Sequence, residues 1–329
     1  MVKVGVPAWV GDELLTKFPR EAEIVRIEAQ PGRRTEAKPE RTIEVEFWIA
    51  PAYPKEAAQV ASRLSGVRVA QSLLAGVDWL QPLIPPQATL CDAQGVHNTP
   101  TAEWAVSAIL AALKYFPFYV DLQRAGDWRR RREVDEQYRA MHHIERKFFP
   151  PVLQEELFGK RVMIMGYGAI GRSIEQRLVP FGVEIVRVAR TIRDGVAGVD
   201  RLLDLLPDAD VVVLIVPLTP ETTGMFGERE LARMKQGALL INAARGPVVK
   251  TQALLAALEA GRIRAVVDVT DPEPLPEDHP LWKAPNLFIT PHVAASSPMF
   301  LSRAMEFAAE QVARYVKREP LKNVVEGRY

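Results

Sequence analysis

The sequence has 329 residues, enough for roughly two domains that each bury a core of their own. Apolar residues make up 48% and charged residues 25%, as in ordinary globular proteins, and the formal net charge of +1 gives no electrostatic reason to expect nucleic acid or an anionic membrane as a partner. The single cysteine excludes an internal disulfide, and the sequence has neither a signal-peptide core nor an apolar run of the roughly 18 residues that a membrane span needs, so we expect a cytoplasmic protein.

Short apolar runs alternate with helix-like patterns along most of the chain. The runs that predict strands are residues 2–6, 24–27, 46–49, 67–70, 88–91, 161–165, 184–188, 211–216, 239–242, 265–269 and 287–289. The patterns that predict helices between them are residues 54–64, 170–179, 201–206, 228–234 and 251–260. This alternation is typical of parallel sheets covered by helices, and it predicts an α/β fold.

Two stretches depart from this alternation. Residues 101–116 predict one long helix, with Thr101 or Asn98 as candidates for its N-cap. Residues 124–147 are highly charged and include four successive arginines at 129–132. Because acidic residues are interleaved with these arginines, we interpret the run as a solvated helix or loop face and not as an anion site.

The most specific motif is a glycine-rich turn, GYGAIG, at residues 166–171. A predicted strand runs directly into it and a helical pattern follows, which is the context that a dinucleotide-binding fingerprint needs. Gly166 permits the tight turn, Gly168 lets the backbone approach the pyrophosphate, and Gly171 lets helix and strand pack closely. The N–H groups at the helix start then bind phosphate. We therefore predict a Rossmann-type, doubly wound parallel sheet that binds a nicotinamide dinucleotide.

The end of the second strand of this domain indicates which dinucleotide is bound. NAD needs an acidic residue there for its ribose 2′-hydroxyl, but the chain reads Val188-Ala189-Arg190-Thr191. An arginine can pair with a 2′-phosphate, and no carboxylate stands at the strand end to repel that phosphate. We therefore predict NADP in preference to NAD, with Arg190 and Thr191 as cofactor contacts. The alternative is that Arg190 stacks on the adenine of an enzyme that uses either cofactor.

Polar residues follow three of the later predicted strands. Arg245 comes after the strand at 239–242, Glu273 after 265–269 and His292 after 287–289. Ligands of open α/β sheets bind beyond the carboxyl ends of the strands, so we expect these three side chains to reach one crevice.

These motifs, in this order, resemble the D-isomer-specific 2-hydroxyacid dehydrogenase family, and within it the glyoxylate and hydroxypyruvate reductases. The matching stretches are LLAGVD at 73–78, TAE at 101–103, GYGAIG at 166–171, PLTPETTG at 217–224, ARGPVV at 244–249, DVTDPEPLP at 268–276 and TPH at 290–292. Two features depart from the family: Thr270 replaces an aromatic or aliphatic residue, and Ala294 and Ala295 replace common glycines.

The resemblance implies a catalytic set of Arg245, Glu273 and His292. His292 then exchanges a proton with the substrate oxygen, Glu273 orients the imidazole and favours its charged form, and Arg245 binds the substrate carboxylate and polarises the carbonyl. The implied substrate contacts are Leu74, Ala75, Gly76, Arg245 and His292. The implied cofactor contacts, with Asp268 at the nicotinamide carboxamide, are Thr101, Gly166, Tyr167, Gly168, Ala169, Ile170, Gly171, Arg190, Thr191, Val216, Pro217, Thr222, Ala243, Ala244, Arg245, Asp268, His292 and Ala294.

The resemblance also implies the domain organisation. Residues 98–294 are expected to form the dinucleotide-binding Rossmann domain. Residues 1–97 and 295–329 are expected to form a smaller, flavodoxin-like α/β substrate domain, to which the last predicted helix, 299–317, returns. Members of the family place the active site in the cleft between the domains and are usually dimers through the cofactor domain, so we expect a homodimer.

We therefore expect an oxidoreductase that transfers a hydride between NADP(H) and a small 2-hydroxy or 2-keto acid, in the direction of glyoxylate or hydroxypyruvate reduction, with no metal. The sequence ends soon after the last predicted helix, without the regulatory domain of many phosphoglycerate enzymes, which favours this interpretation. The alternatives are a phosphoglycerate-type dehydrogenase that uses NAD, a non-catalytic nucleotide-sensing relative, and a formate dehydrogenase. The complete Arg–Glu–His set disfavours the sensor, and an acid at Glu273, where formate dehydrogenase has glutamine, disfavours the last.

Overall fold

The computed structural model describes residues 1–29 and 42–325, and the chain divides into two compact units. Unit 1 comprises Met1–His97 and Ser296–Tyr329, and unit 2 comprises Asn98–Ala295. The strands of the described residues are β1 (Val2–Pro7), β2 (Ala22–Ile27), β3 (Ile43–Glu44), β4 (Phe47–Ala50), β5 (Leu64–Ser65), β6 (Val69–Ser72), β7 (Thr89–Cys91), β8 (Arg161–Met165), β9 (Glu184–Val188), β10 (Val211–Leu214), β11 (Leu239–Asn242), β12 (Arg264–Val267) and β13 (Leu287–Ile289). The helices are α1 (Asp12–Leu15), α2 (Pro54–Ala61), α3 (Asn98–Leu113), α4 (Phe116–Ala125), α5 (Glu133–Met141), α6 (Ala169–Leu178), α7 (Leu202–Leu205), α8 (Glu228–Arg233), α9 (Thr251–Glu259) and α10 (Phe300–Val316).

Unit 1 is built on a parallel sheet of five strands in the order β2-β1-β4-β6-β7. Alternate residues of β4 enter two separate apolar clusters, because successive side chains of a strand point to opposite faces of the sheet. Phe47 and Ile49 pack with residues of α10, and Trp48 and Ala50 pack with residues of α2. The strand order and the covered faces confirm the predicted flavodoxin-like α/β fold.

Unit 2 is built on a parallel sheet of six strands in the order β13-β12-β11-β10-β8-β9. Beyond β9, Ala197 forms one further parallel bridge with Val188. The side chains of β8 and β10 alternate between two buried apolar clusters, one on each face, so helices must cover both. The strand order reverses at β8, with β9 on one side and β10 on the other. This arrangement confirms the predicted Rossmann-type, doubly wound sheet.

The long helix predicted for residues 101–116 was wrong in its bounds, because the chain forms two helices there. α3 begins at Asn98, so Thr101 is a buried residue of the first turn and not a cap. α3 ends at Leu113, and Tyr115 then adopts a left-handed conformation with φ of 54° before α4 begins. No single described helix is both long and apolar enough to cross a membrane; only α3 and α4 as a pair meet those criteria, and they are bent by 61° at the break.

A buried ion cluster contacts the chain at this break. The Tyr115 hydroxyl donates a hydrogen bond of 3.2 Å to the Glu155 carboxylate, and the Glu155 N–H donates to the carbonyl of Leu113. The same carboxylate accepts from Arg264 at 2.7 Å and from Lys160 at 3.1 Å. Burial opposes ionisation of Glu155, but these two cations outweigh it and hold its pKa below the usual value. The partners in this cluster come from distant parts of the sequence, so local patterns do not reveal these contacts.

The arginine run at 129–132 forms a single 3₁₀ turn before α5. Arg130 pairs with Glu133 at 2.7 Å, and Arg139 pairs with Asp135 at 2.9 Å. Two arginines of this charged segment thus pair with neighbouring acidic residues, in agreement with the interpretation of a solvated face.

Candidate active site

The glycine-rich turn after β8 has the backbone geometry that its glycines require. Gly166 has φ of 101°, and a Cβ there would lie 2.6 Å from the carbonyl oxygen of Ile215, which follows β10. A Cβ at Gly171 would lie 2.9 Å from the Gly166 carbonyl oxygen. Side chains at either position would therefore clash with backbone, so both glycines are needed to pack α6 against the sheet.

The start of α6 has room for an anion. A Cβ at Gly168 would meet no atom of the described residues within 4 Å, so the space beside this turn is open. Ala169 and Ile170 follow as the first residues of α6, where helix N–H groups have no partner within the helix. Those donors and the helix dipole suit a phosphate, and the turn therefore fits the pyrophosphate of a dinucleotide.

The side chain of Tyr167 is held in a network behind this turn. Its hydroxyl donates to Glu175 at 2.5 Å, and Arg187 pairs with the same carboxylate. Arg193 lies over the Tyr167 ring, with 5.7 Å between guanidinium carbon and ring centroid, and donates to the Tyr167 carbonyl. The arginine-rich loop after β9 is thereby tied to the glycine-rich turn.

The corner after β9 carries both positive and negative charge. Arg190 and Thr191 are exposed directly after the strand. Glu221 lies close to this corner: the Thr219 hydroxyl, the N–H of Glu221 itself and the charge of Arg190 hold its pKa below the usual value. No carboxylate stands at the end of β9 itself, and Glu221 could not be predicted from the strand end because it comes from the segment after β10, about 30 positions away in sequence. The positive charge of Arg190 thus acts on a carboxylate of the segment that follows β10.

The side chain of Thr222 forms hydrogen bonds across the loop that follows β10. Its hydroxyl donates to the Pro217 carbonyl at 2.7 Å and accepts from the Thr219 N–H at 2.8 Å. Val216 is 9% exposed, so it contributes mainly to the core cluster. The hydrogen bonds of Thr222 thus fix the backbone of residues 217–222, a segment of the predicted cofactor site.

The backbone around Arg245 is fixed by Asn242, the last residue of β11. The buried Asn242 amide accepts from the Ala244 N–H at 3.1 Å and donates to the Arg245 carbonyl at 3.3 Å. Ala243 is held by a hydrogen bond from its N–H to the Leu214 carbonyl. Arg245 is partly exposed, and its guanidinium donates to the Ala244 carbonyl at 2.9 Å.

The Arg245 loop lies directly on the next loop of the sheet edge. A Cβ at Gly246 would lie 1.9 Å from the carbonyl oxygen of Thr270, which follows β12. Only glycine allows this approach, because no real Cβ atom comes so close to backbone. The contact therefore sets the spacing between the loop that carries Arg245 and the loop that carries Glu273.

Asp268 is buried at the end of β12 and organises the turn that follows β13. Its carboxylate accepts from the Thr290 hydroxyl at 2.5 Å and from the N–H groups of Val293 and Ala294 at 2.9 and 2.8 Å. Its carbonyl accepts from the His292 N–H at 2.7 Å. Asp268 thus holds both sides of His292.

The imidazole of His292 contacts the carboxylate of Glu273. Nδ1 of His292 and Oε1 of Glu273 are 2.5 Å apart, and both side chains are nearly half exposed. His292 has φ of 53°, a left-handed conformation that is costly for a residue other than glycine and that such a dense hydrogen-bond network can maintain. A histidine so bound has its Nδ1 committed to Glu273, which leaves Nε2 as the ring nitrogen that can exchange a proton with another group.

Three adjacent strands position the residues that carry the candidate chemistry. β11, β12 and β13 are neighbours in the sheet, and Arg245, Glu273 and His292 follow their carboxyl ends in that order.

A family model described as the NAD binding domain of the D-isomer specific 2-hydroxyacid dehydrogenases matches residues 106–294. The chain belongs to this family. It is therefore an oxidoreductase of a family that uses NAD or NADP.

Individual family members are similar over most of the chain. A D-3-phosphoglycerate dehydrogenase of Methanocaldococcus jannaschii is 29% identical over 314 residues, which are 92% of this chain but only 56% of that protein. A glyoxylate reductase of Thermofilum pendens is 32% identical over 275 residues, 80% of this chain and 76% of the relative. The solved structure of an NADPH-dependent glyoxylate/hydroxypyruvate reductase from Sinorhizobium meliloti, in complex with NADP and sulfate, is 26% identical with a TM-score of 0.78 and covers 99% of this chain and 98% of that chain.

The predicted site residues fall in both units. Leu74, Ala75 and Gly76 follow β6 in unit 1, where the Leu74 carbonyl accepts from the Ala93 N–H and the Gly76 carbonyl accepts from the Trp79 indole. The remaining predicted residues belong to unit 2, and those after β8 to β13 lie at the carboxyl edge of its sheet. Sequence reasoning missed the supporting residues Asn242 and Gly246, although the GPV pattern after Arg245 was a signal for a tight turn.

Proposed function

We propose that this protein reduces a small 2-keto acid, glyoxylate or hydroxypyruvate, with NADPH. The observation that carries the proposal is the 2.5 Å contact between His292 Nδ1 and the Glu273 carboxylate at the sheet edge that also bears Arg245. A dinucleotide-binding turn, a histidine oriented by an acid and an arginine beyond adjacent strands are the groups that keto-acid reduction needs.

The proton step follows from the orientation of the imidazole. Glu273 accepts a hydrogen bond from Nδ1–H and orients the ring, so the protonated imidazole donates its Nε2 proton to the substrate carbonyl oxygen as that oxygen gains charge. In the reverse direction Nε2 accepts the proton of the hydroxyl. The cofactor, when bound, supplies or accepts the hydride.

The proposed role of Arg245 is to bind the substrate carboxylate. A guanidinium can donate two parallel hydrogen bonds to a carboxylate, and its charge also polarises the adjacent carbonyl. Asn242 fixes the backbone on both sides of this residue, which limits the positions that the guanidinium can reach. We further propose Leu74, Ala75 and Gly76 of unit 1 as substrate contacts and unit 1 as the substrate domain.

The proposed cofactor contacts lie along the carboxyl edge of the unit 2 sheet. The open space at Gly168 and the N-terminus of α6 suit the pyrophosphate. We propose that Arg190 and Thr191 bind the 2′-phosphate of NADP, with Arg193 as a further cation nearby. Asp268 can still accept from the nicotinamide carboxamide, because a carboxylate has about four acceptor positions and Asp268 uses three.

A panel of 2-keto acids tests the proposal. We expect NADPH oxidation, followed by its absorbance, with glyoxylate and hydroxypyruvate, and weaker rates with NADH. Efficient oxidation of 3-phosphoglycerate with NAD would favour the phosphoglycerate-type alternative instead. Binding of a dinucleotide without turnover on any keto acid would favour the nucleotide-sensing alternative.

Cofactor preference is tested by Arg190→Ala in the same assay. We expect KM for NADPH to rise by at least about tenfold while KM for NADH changes little, because a charge-assisted contact to phosphate contributes roughly 1.5–3 kcal/mol. The matched control is Arg201→Ala, which removes an exposed arginine of the same unit that pairs with Asp204. Equal losses for NADPH and NADH in Arg190→Ala would contradict the NADP assignment.

We also propose a homodimer that forms through unit 2. Unit 2 exposes several large apolar side chains on the segment that follows α3, namely Phe116, Trp128, Phe149 and Phe158. Exposed aromatic residues in such number are typical of surfaces that a second protein covers. A monomeric mass in solution by light scattering would contradict this proposal.

A further inference from the structure

We propose that Thr251 and Thr270 are positioning residues that hold Glu273 against His292. The inference rests on the proposed function, since it concerns the same proton-transfer pair. Neither threonine is needed to contact substrate or cofactor; each acts on the backbone that carries Glu273.

Both hydroxyls bind the two residues that directly precede Glu273. The Thr251 hydroxyl donates to the Asp271 carbonyl at 2.6 Å, and the Thr270 hydroxyl donates to the Pro272 carbonyl at 2.9 Å. The position of the Glu273 carboxylate is set by this backbone, and its contact with the imidazole is only 2.5 Å long. A small displacement of the loop therefore removes the contact.

The loop that carries Glu273 has few backbone groups that could form stabilising hydrogen bonds. Residues 271–274 are exposed, and Pro272 and Pro274 have no N–H with which to donate a backbone hydrogen bond. Side-chain donors from outside the loop are the alternative way to fix its carbonyl groups. Thr251 supplies such a donor from α9, and Thr270 supplies one from the residue directly before the exposed stretch.

Both anchors belong to well-packed parts of unit 2. Thr251 is the first residue of α9, a helix that contributes to the buried cluster on one face of the sheet. Thr270 is 9% exposed, and its carbonyl lies directly against Gly246. The Glu273 loop is therefore fixed relative to α9 and to the loop that carries Arg245.

The test compares Thr251→Val, Thr270→Val and the double variant with the wild-type protein. Valine keeps the shape of threonine but cannot donate, so each variant deletes one hydrogen bond. We expect kcat to fall about 3- to 10-fold in each single variant and further in the double variant, because one hydrogen bond of this kind changes an equilibrium by that factor. KM for NADPH should stay within about twofold, and Thr→Ser variants, which restore the donor, should recover kcat.

The matched control is Thr16→Val in unit 1. The Thr16 hydroxyl donates to the Glu13 carbonyl at 2.8 Å, so the same substitution removes the same kind of bond at an exposed place in the other unit. We expect its kcat to equal that of the wild type. A wild-type kcat in the Thr251/Thr270 double variant, or a loss that serine does not recover, would overturn the inference.

A second measurement separates this inference from the proposed function. In nuclear magnetic resonance spectra, the proton of His292 Nδ1 should give a downfield signal while it is bound to Glu273, in wild type and in Thr16→Val. We expect the double variant to lose that signal at an unchanged melting temperature. If the wild type reduces no keto acid but the signal behaves in this way, the proposed function fails and the positioning role stands; a signal unaffected in the double variant rejects the positioning role.

Discussion

Replacing His292 with alanine is expected to lower turnover by about 10²–10⁴-fold, the usual contribution of a general acid or base. The reason is that the Nε2 proton donor is lost while the dinucleotide-binding turn after β8, which lies elsewhere on the sheet edge, is unchanged. The measurement is steady-state reduction of the best keto acid, together with NADPH binding followed by fluorescence. We expect the dissociation constant for NADPH to change by less than about threefold.

The control for this variant is His143→Ala. His143 is an exposed histidine of the same unit and has the same φ of 53° as His292, so the backbone effect of the substitution is matched. We expect wild-type turnover from it. A His292→Ala enzyme that turns over at a rate near that of His143→Ala would remove His292 from the mechanism.

Gly246→Ala is expected to reduce both activity and stability. The new Cβ would lie 1.9 Å from the Thr270 carbonyl oxygen, so the loops that carry Arg245 and Glu273 must move apart. Displacements of about 1 Å at a catalytic site can cost about 10²-fold in rate, and overpacking costs about 1–3 kcal/mol of unfolding free energy. We therefore expect kcat to fall about 10²-fold and the melting temperature to fall by about 2–12 °C.

The control for crowding at a glycine is Gly11→Ala in unit 1. There the nearest atoms are those of the flexible Glu13 carboxylate, which can move aside without shifting the backbone. We expect little change in rate or melting temperature. If Gly246→Ala behaves like Gly11→Ala, the loop spacing is not set by this contact.

The sheet of unit 2 could be predicted from sequence because its signals are local. The strands β8, β9, β11 and β13 match the predicted bounds residue for residue, since each is a short apolar run between turn-forming residues. The break at Tyr115 could not be predicted in this way. The Tyr115 hydroxyl contacts Glu155, which lies 40 residues further along the chain.

The candidate site also depends on contacts between residues that are far apart in sequence. The family resemblance was sufficient to predict that Glu273 and His292 act together, and the structure brings them into contact. It was not sufficient to reveal that Glu221 lies near Arg190, or that the Thr270 carbonyl rests on Gly246. These contacts join loops from different strands, and their partners are set only when the sheet order is known.

The buried carboxylate of Glu155 has a consequence for excising unit 2 as an independent fragment. A fragment that begins at Arg161, the first residue of the sheet, contains Arg264 at 7% exposure without its counter-ion. An unpaired buried cation costs about 3–5 kcal/mol, a large share of the stability of an average domain. A fragment of unit 2 should therefore begin before the first strand of its sheet. A fragment that begins at Asn98, the first residue of unit 2, contains both Glu155 and Arg264.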